Sequence, residues 1–281
     1  MLTITIDWLS VNFRSWVYET GEFERTYASF GNPEDYAPRF GYASARVDSH
    51  GTVVMWNDDR ADMGHHIIFN GTALRNIFSQ TKIQPRALLS AVIDAGGNIS
   101  RLDLAKDLTE KSVDLEAIYQ QIEQGHSRGT TRKYSRVTSN DKGYTIYIGS
   151  RQSERYIRLY DKAAEQSLSN HDWYRLECET KGVFARSIGI ALSNTEDWAQ
   201  VFDNVIRGAF WLPLSSDWLA FFPLGVVPIG LPKESKMTDR ERWIESQVIP
   251  AVARHYIDNP NSVAVARLLL TLYFIDNPGK L

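Results

Sequence analysis

Cysteine is almost absent from this chain. Cys178 is the single one in 281 residues, so no intrachain disulfide can form and a reducing, cytoplasmic setting is expected. No Cys-x-x-Cys, glycine-rich P-loop or Gly-x-Ser-x-Gly is present, and the missing P-loop argues against helicase or NTPase chemistry. Long hydrophobic runs are missing as well. The longest uncharged apolar stretch, Trp218 to Pro232, is interrupted by Pro223 and Pro228 and is too short to span a bilayer. Met1 to Phe13 alternates apolar and polar residues without a basic start, the pattern of a strand and not of a signal peptide, so no membrane partner is expected. Charge of one sign is lacking too, with 31 Lys and Arg against 34 Asp and Glu for a formal net charge of −3. What remains is an ordinary globular composition, a little rich in aromatics and long enough to bury a sizeable core.

The charge is unevenly spread. Between His126 and Lys162 nine Lys and Arg stand against three acids. Arg128, Arg132, Lys133, Arg136, Arg151 and Arg155 in this segment mark where a polyanion would dock. A solvated basic hairpin is the plainer reading of such a run taken alone.

Periodicity divides the chain into a β-rich start, a mixed middle and a helical end. Alternating runs at Leu2 to Trp8, Phe40 to Val47, Thr52 to Trp56 and His65 to Phe69 read as strands, the last meeting a turn signal at Asn70-Gly71. Thr72 to Phe78 and Pro85 to Ala95 read as helices, the second stopping at Gly96-Gly97. Ile99 to Leu108 is a strand, and Asp114 to Gln124 a helix with acids at its start and Gly125 at its stop. Arg132 to Thr138, Tyr144 to Ile148, Arg155 to Lys162 and Trp173 to Thr180 follow as strands, the first two joined by a turn at Asn140 to Gly143. Helices close the chain at Phe184 to Leu192, Thr195 to Arg207, Asp239 to Tyr256 and Ser262 to Ile275. The expected class is α+β: a central, mostly antiparallel sheet flanked by helices, with 1–190 holding the chemistry and 191–281 a helical region packed on it.

No internal repeat is visible beyond one short pattern. Arg101-Leu102-Asp103, Arg158-Leu159-Tyr160 and Arg175-Leu176-Glu177 each set an Arg, a Leu, then an acid or a tyrosine. Side chains alternate across a strand, so Arg101, Asp103 and Asp107 share a face, as do Arg158, Tyr160 and Lys162, and Arg175, Glu177 and Glu179. Carboxylates on adjacent strands suit a hard divalent cation such as Mg²⁺ or Mn²⁺; Asp103 with Glu177 or Glu179 is the candidate set and Asp107 an outer member. A phenol is mostly protonated at neutral pH, and Arg158 and Lys162 beside Tyr160 would favour its phenolate and neutralise a phosphate. A solvent-facing salt-bridge ladder would give the same alternation on any one strand. Three strands converging on it, with a tyrosine in the middle one, tip the balance to a site. Tyr156 shares the Tyr160 face about 13 Å along the strand, where base stacking or packing suits it better than a second nucleophile. His65 and His66 read as structural strand residues, Cys178 as a core thiol and Trp173 as a border of the site.

These residues carry a resemblance. Tyr147 to Lys162, with Glu165 and then Tyr174 to Glu179, resembles the trans-acting rolling-circle replication initiation factors of plasmids and phages and the related relaxases of conjugative elements. Ser100 to Asp107 is similar to the family's upstream acidic strand, and Met63 to Gly71 to an earlier Gly-rich one. The resemblance implies a metal-dependent, ATP-independent nicking and rejoining of DNA. Tyr160 would attack the scissile phosphate, leaving a 5′-phosphotyrosyl link and a free 3′-hydroxyl for a polymerase. Arg158, Lys162 and Arg101 would assist, Asp103, Glu177 and Glu179 would hold Mg²⁺ or Mn²⁺, and Arg175 would join the basic segment in holding DNA. It also implies origin DNA as partner, and a host helicase and polymerase; with one evident nucleophile, closing the cycle needs a second protomer or water, so a homodimer is expected. A relaxase starting conjugative transfer would use the same chemistry, and a DNA-binding descendant without turnover is the reading from another class. A buried Tyr160 with its hydroxyl satisfied would favour that last reading.

Overall fold

In the computed structural model, described for residues 3–13, 34–139, 143–168, 171–222 and 248, ten strands form one sheet. The strands are β1 (Thr3–Phe13), β2 (Glu34–Asp35), β3 (Ser44–Val47), β4 (Val53–Trp56), β5 (His65–Asn70), β6 (Asn98–Thr109), β7 (Tyr134–Ser139), β8 (Gly143–Gly149), β9 (Arg155–Asp161) and β10 (Trp173–Lys181). Their order is β2-β3-β4-β5-β1-β6-β10-β9-β8-β7, with every neighbouring pair antiparallel. This is the α+β architecture expected. The helices are α1 (Gly71–Thr81), α2 (Pro85–Asp94), α3 (Leu115–Glu123), α4 (Lys162–Glu165), α5 (Gly182–Ser193), α6 (Trp198–Ala209) and α7 (Ser216–Leu219). None among the described residues is long and apolar enough to cross a membrane.

Alternation builds the core. Leu102 and Leu104 of β6, Leu176 and Cys178 of β10, and Ile157 and Leu159 of β9 are buried on one face, against Leu74 and Ile77 of α1, Ile188 of α5 and Phe202 of α6. Each such leucine or isoleucine contributes about 2 kcal/mol by leaving water. Their odd-even partners face the other way, which puts Arg101, Asp103 and Asp107 of β6, Arg158 and Tyr160 of β9, and Arg175, Glu177 and Glu179 of β10 together on the second face. Helix α5 can lie close over β6 because Gly189 has no side chain; a Cβ there would collide with Ile99 Cδ1.

A fully buried charged pair sits on the apolar face. Lys106 Nζ meets Asp203 Oδ1 of α6 at 2.5 Å with both side chains fully buried, and the rings of Phe202 and Phe222 lie 5.4 and 5.2 Å from the ammonium. Burial lowers the Lys106 pKa and raises that of Asp203, each opposed by the partner's charge.

Several expectations shift by local chemistry. Asn70-Gly71 is not a turn but a helix start: the Asn70 side chain accepts from the Thr72 and Ala73 amides as the N-cap of α1. Lys162 leaves β9 to open α4, capped by Asp161 on the Ala164 amide. Phe40 to Ala43 precede β3 as a loop, with Phe40 and Gly41 both at positive φ. Tyr144 to Ile148 and its partner strand form the expected hairpin, whose turn residues 140–142 lie outside the described residues. The helices expected at 239–256 and 262–275 fall there too. The compact unit containing the sheet is bounded by Met1–Pro232, and a second unit covers Lys233–Leu281.

The sheet repeats a connectivity that periodicity alone did not reveal. β1 is followed by the meander β2 to β5, whose last strand returns to pair with β1 and runs into α1; β6 is followed by β7 to β10, whose last strand returns to pair with β6 and runs into α5. Antiparallel pairing of β1 with β6 joins the halves. Both α1 and α5 open on glycine and carry arginine four and isoleucine six residues later (Gly71, Arg75, Ile77; Gly182, Arg186, Ile188).

Candidate functional site

Cross-strand register brings the three Arg-Leu patterns together. Asp103 of β6 lies opposite Glu179 of β10, which lies opposite Tyr156 of β9; Asp107 lies opposite Arg175, and Arg175 opposite Tyr160. Glu177 stands between these rows, opposite Arg158. All belong to the face away from the helices.

The side chains form an alternating chain of charge. Arg175 donates from Nε and Nη2 to both Asp107 oxygens at 2.7 and 2.8 Å, and its Nη1 lies 3.3 Å from Asp7 Oδ1 and 3.9 Å from Glu177 Oε1. Glu177 Oε2 meets Arg158 Nη2 at 2.6 Å, and the same nitrogen is 4.0 Å from Asp103 Oδ2. Arg101 grips Asp103 through two bonds of 2.9 and 2.6 Å and shares Nη2 with Glu179 Oε2 at 2.9 Å. Lys181 Nζ ends the chain 2.6 Å from Glu179 Oε1. Forked guanidinium pairing of this kind is geometrically specific, and burial makes it matter more than a surface ladder would.

Tyr160 donates its hydroxyl hydrogen to Glu177 Oε1 at 2.5 Å. Sequence spacing suggested that Arg158 and Lys162 would favour phenolate; the site works the other way. Burial first, then the Glu177 charge, push the Tyr160 phenol well above its ordinary range. Lys162 Nζ is turned to Glu165 Oε2 at 2.5 Å and stands 5.7 Å from the Tyr160 ring centre. Burial also raises Glu177, with Arg158 opposing it, and raises Asp103 to about 6 against the pull of Arg101.

Other candidates separate by face. Arg155 shares its parity with Ile157 and Leu159, so its guanidinium lies on the helix side, 4.8 Å from the Phe184 ring and bonded to Thr130 Oγ1. Arg136 pairs there with Glu116 of α3 at 2.8 Å and lies 4.6 Å from the Tyr119 ring. Arg128, Arg132 and Lys133 are exposed ahead of β7, Arg128 pairing its backbone with Trp211. Arg151, in the β8–β9 turn, opposes the rise that burial imposes on the Tyr156 hydroxyl. Trp173 borders the site, its ring centre 6.0 Å from the Arg175 guanidinium. His66 is bonded to the Asn12 side chain and flanked by the Phe40 and Tyr42 rings, while Cys178 is fully buried.

Two participants were missed in the sequence. Asp7 reaches Arg175 from a register shift in β1 between Ile6 and Trp8, and Trp8 carries the Arg101 guanidinium 4.7 Å from its ring centre while donating Nε1–H to Ser10 Oγ. The available signal was that Asp7 is the one charge in an otherwise uncharged strand.

Among the described residues no group of three or more His, Cys, Asp or Glu side chains is gathered so that it could hold a metal. Asp103 and Glu179 nevertheless form an all-oxygen pair bridged by one cationic nitrogen, the chemistry a hard cation satisfies.

Comparison with known proteins bears on the family and the fold. A protein of Bacillus subtilis (strain 168) whose name designates it a DNA relaxase, NicK, is 30% identical over 129 residues, covering 40% of this chain and 37% of the relative. The chain thus spans well under two thirds of that protein's length. A rolling-circle replication initiator protein from Geobacillus stearothermophilus has the same fold, with a TM-score of 0.65 at 17% identity over 79% of this chain and 92% of that one. The sequence profile of the replication initiation factor family matches residues 97–257, more than half of the chain, which therefore belongs to that family.

Proposed function

We propose that this protein nicks and rejoins a DNA strand through Tyr160, as a rolling-circle replication initiator. The observation that carries the reading is the bond from the Tyr160 hydroxyl to Glu177 Oε1, set within a row of arginines. A satisfied, half-buried hydroxyl alone would suit a protein without chemistry. Here the acceptor is a carboxylate, which can take the proton as the phenol oxygen attacks.

In the proposed step the Tyr160 oxygen forms a bond to phosphorus and its proton passes to Glu177 Oε1. The 3′-oxygen leaves with the bonding pair and takes a proton from solvent. Arg158 opposes the rise that burial imposes on the Glu177 carboxyl, and Arg158, Arg175 and Arg101 face the phosphate's charge. Mg²⁺ or Mn²⁺ held by Asp103 and Glu179, with Glu177 adjacent, would polarise a phosphoryl oxygen; two carboxylates suffice because Mg²⁺ retains waters. Arg101 would have to release that pair for the ion to enter. Exposed Arg128, Arg132 and Lys133, with Arg151, extend the cationic surface for DNA.

One nucleophile implies that rejoining uses a second protomer or water, hence a homodimer; host helicase and polymerase would follow the nick. The similarity to NicK favours a relaxase as the second reading, with the same chemistry. The deciding experiment incubates wild type and Tyr160→Phe with supercoiled DNA of the encoding element and Mg²⁺ or Mn²⁺, then looks for a covalent adduct on a denaturing gel. An adduct in wild type alone is expected. Equal adduct in both would remove Tyr160 as nucleophile, and none in either, with DNA still bound, would leave a binding protein.

A further inference from the structure

Next to the charged rows, the same face of the sheet changes character. β9 presents Arg158 and Tyr160, but β8 beside it presents Thr145, Tyr147 and Gly149, and β7 presents Ser135 and Val137, the latter 52% exposed. None of these five side chains carries charge. Tyr147 is partly exposed and stacks on buried Tyr156, ring centres 5.7 Å apart and planes 12° from parallel. Gly149, opposite Tyr156, adds no side chain to cover them.

We infer that Tyr147, backed by Tyr156, is a stacking platform for an unpaired nucleobase next to the scissile phosphate. The inference rests on the nicking reading only for which phosphate is scissile. Tyr147 lies opposite Arg158, so it is a diagonal neighbour of Tyr160, about 7–8 Å away between backbones. That is within one nucleotide's reach. A single strand whose phosphates follow Arg158 and Arg175 would lay its bases over β8, where an aromatic face and a smooth uncharged surface await them. Stacking is tolerant of base identity, since every base offers a π-face. Arg151 lies close enough to the Tyr156 hydroxyl to oppose the rise that burial imposes on it, which leaves a cation beside the platform. A duplex would not place a base here, because its bases are stacked on one another. The ligand is therefore single-stranded DNA.

The test compares two fluorescent probes of equal length and charge at one ionic strength: a short oligothymidylate, and an oligomer of abasic sites. It is run by anisotropy on the full chain carrying Tyr160→Phe, so that loss of the cleavage chemistry would leave it interpretable. The parent protein should prefer the probe with bases. Tyr147→Ala should erase about tenfold of that preference and leave affinity for the abasic probe unchanged, while Tyr147→Phe keeps it. Tyr147→Leu, which suits a strand, repeats the loss if the alanine variant folds poorly. Equal weakening on both probes, an unchanged preference, or no preference in the parent protein would overturn the platform.

Discussion

Strands β1 to β5 and strands β6 to β10 are wired alike, yet the faces they turn away from the helices have little in common. Counting back from the glycine that opens each following helix, Ile68 stands where Glu179 stands, and His66 where Glu177 does. In the first half Ala45, Val53, Met55 and Ile68 are buried together, with Trp8, Tyr42 and Val47 around them. In the second half five carboxylates, counting Asp7 from β1, are threaded on three arginines and a lysine. Backbone topology thus supplies a broad face twice, and side chains at a handful of registers decide whether that face is inert or charged. Chemistry is a property of the site, not of the wiring.

Breaking the charged half should therefore have effects that the same kind of change in the apolar half does not. The largest is expected for Glu177→Gln, which keeps shape but cannot accept the Tyr160 proton. Adduct formation should fall by about 10²–10⁴-fold with DNA affinity near wild type, whereas His66→Gln should leave the adduct rate within about twofold. A gel time course measures both, and comparable losses would mean that the halves do not differ in role.

Next comes the pair beneath the sheet. Removing one partner, by Lys106→Met or Asp203→Leu, should cost about 3–5 kcal/mol by leaving a lone buried charge, and the double replacement should recover most of it. Urea unfolding reads this directly; additive losses in the double variant would show that the pair is not coupled.

A third effect concerns pH. The folded-state pKa of Asp103, about 6, lies above its ordinary 3.8, so the folded protein holds a proton that the unfolded chain releases. Its contribution to stability is then full below about pH 4 and is lost as pH rises through 6. The stability difference between wild type and Asp103→Asn should change across that window in metal-free buffer, and a flat difference would contradict the burial of the carboxyl.

Smallest is Asp7→Asn, which removes the carboxylate that the first half lends to the charged chain. Loss of a 3.3 Å contact to Arg175 should slow adduct formation by a few-fold and barely move stability. An effect as large as that of Glu177→Gln would assign Asp7 a direct part in the chemistry.

Much of the fold and site is legible in the sequence where a periodic signal exists. Alternation puts Arg101, Asp103 and Asp107, Arg158 and Tyr160, and Arg175, Glu177 and Glu179 on one face, because strand parity is a backbone property; Lys162, expected on that face, instead opens a helix. Parity is equally available for Arg155 and Arg136, but counting charge along a segment ignores it, and both serve the helix side. Asp7 depends on a register shift that no local pattern encodes. The rise in the Tyr160 pKa depends on burial and on a carboxylate seventeen residues away, neither of them visible from the cations beside it. Asn70-Gly71 fits a turn and a helix cap equally well in one dimension; the helical run from Thr72 onward decides between them.

The position of β1 has a consequence for how the chain is made. Its two neighbours are β5 and β6, both later in the chain, so β1 finds its second partner only once Asn98–Thr109 has emerged. Until then one long hydrogen-bonding edge is bare. Pairing over such separations is slow, and a nascent chain stalled between Asn70 and Asn98 would present that edge to any strand passing by. Synthesis through β6 covers that edge well before the tyrosine strand exists, and passes the open edge to β6 itself until β10 arrives.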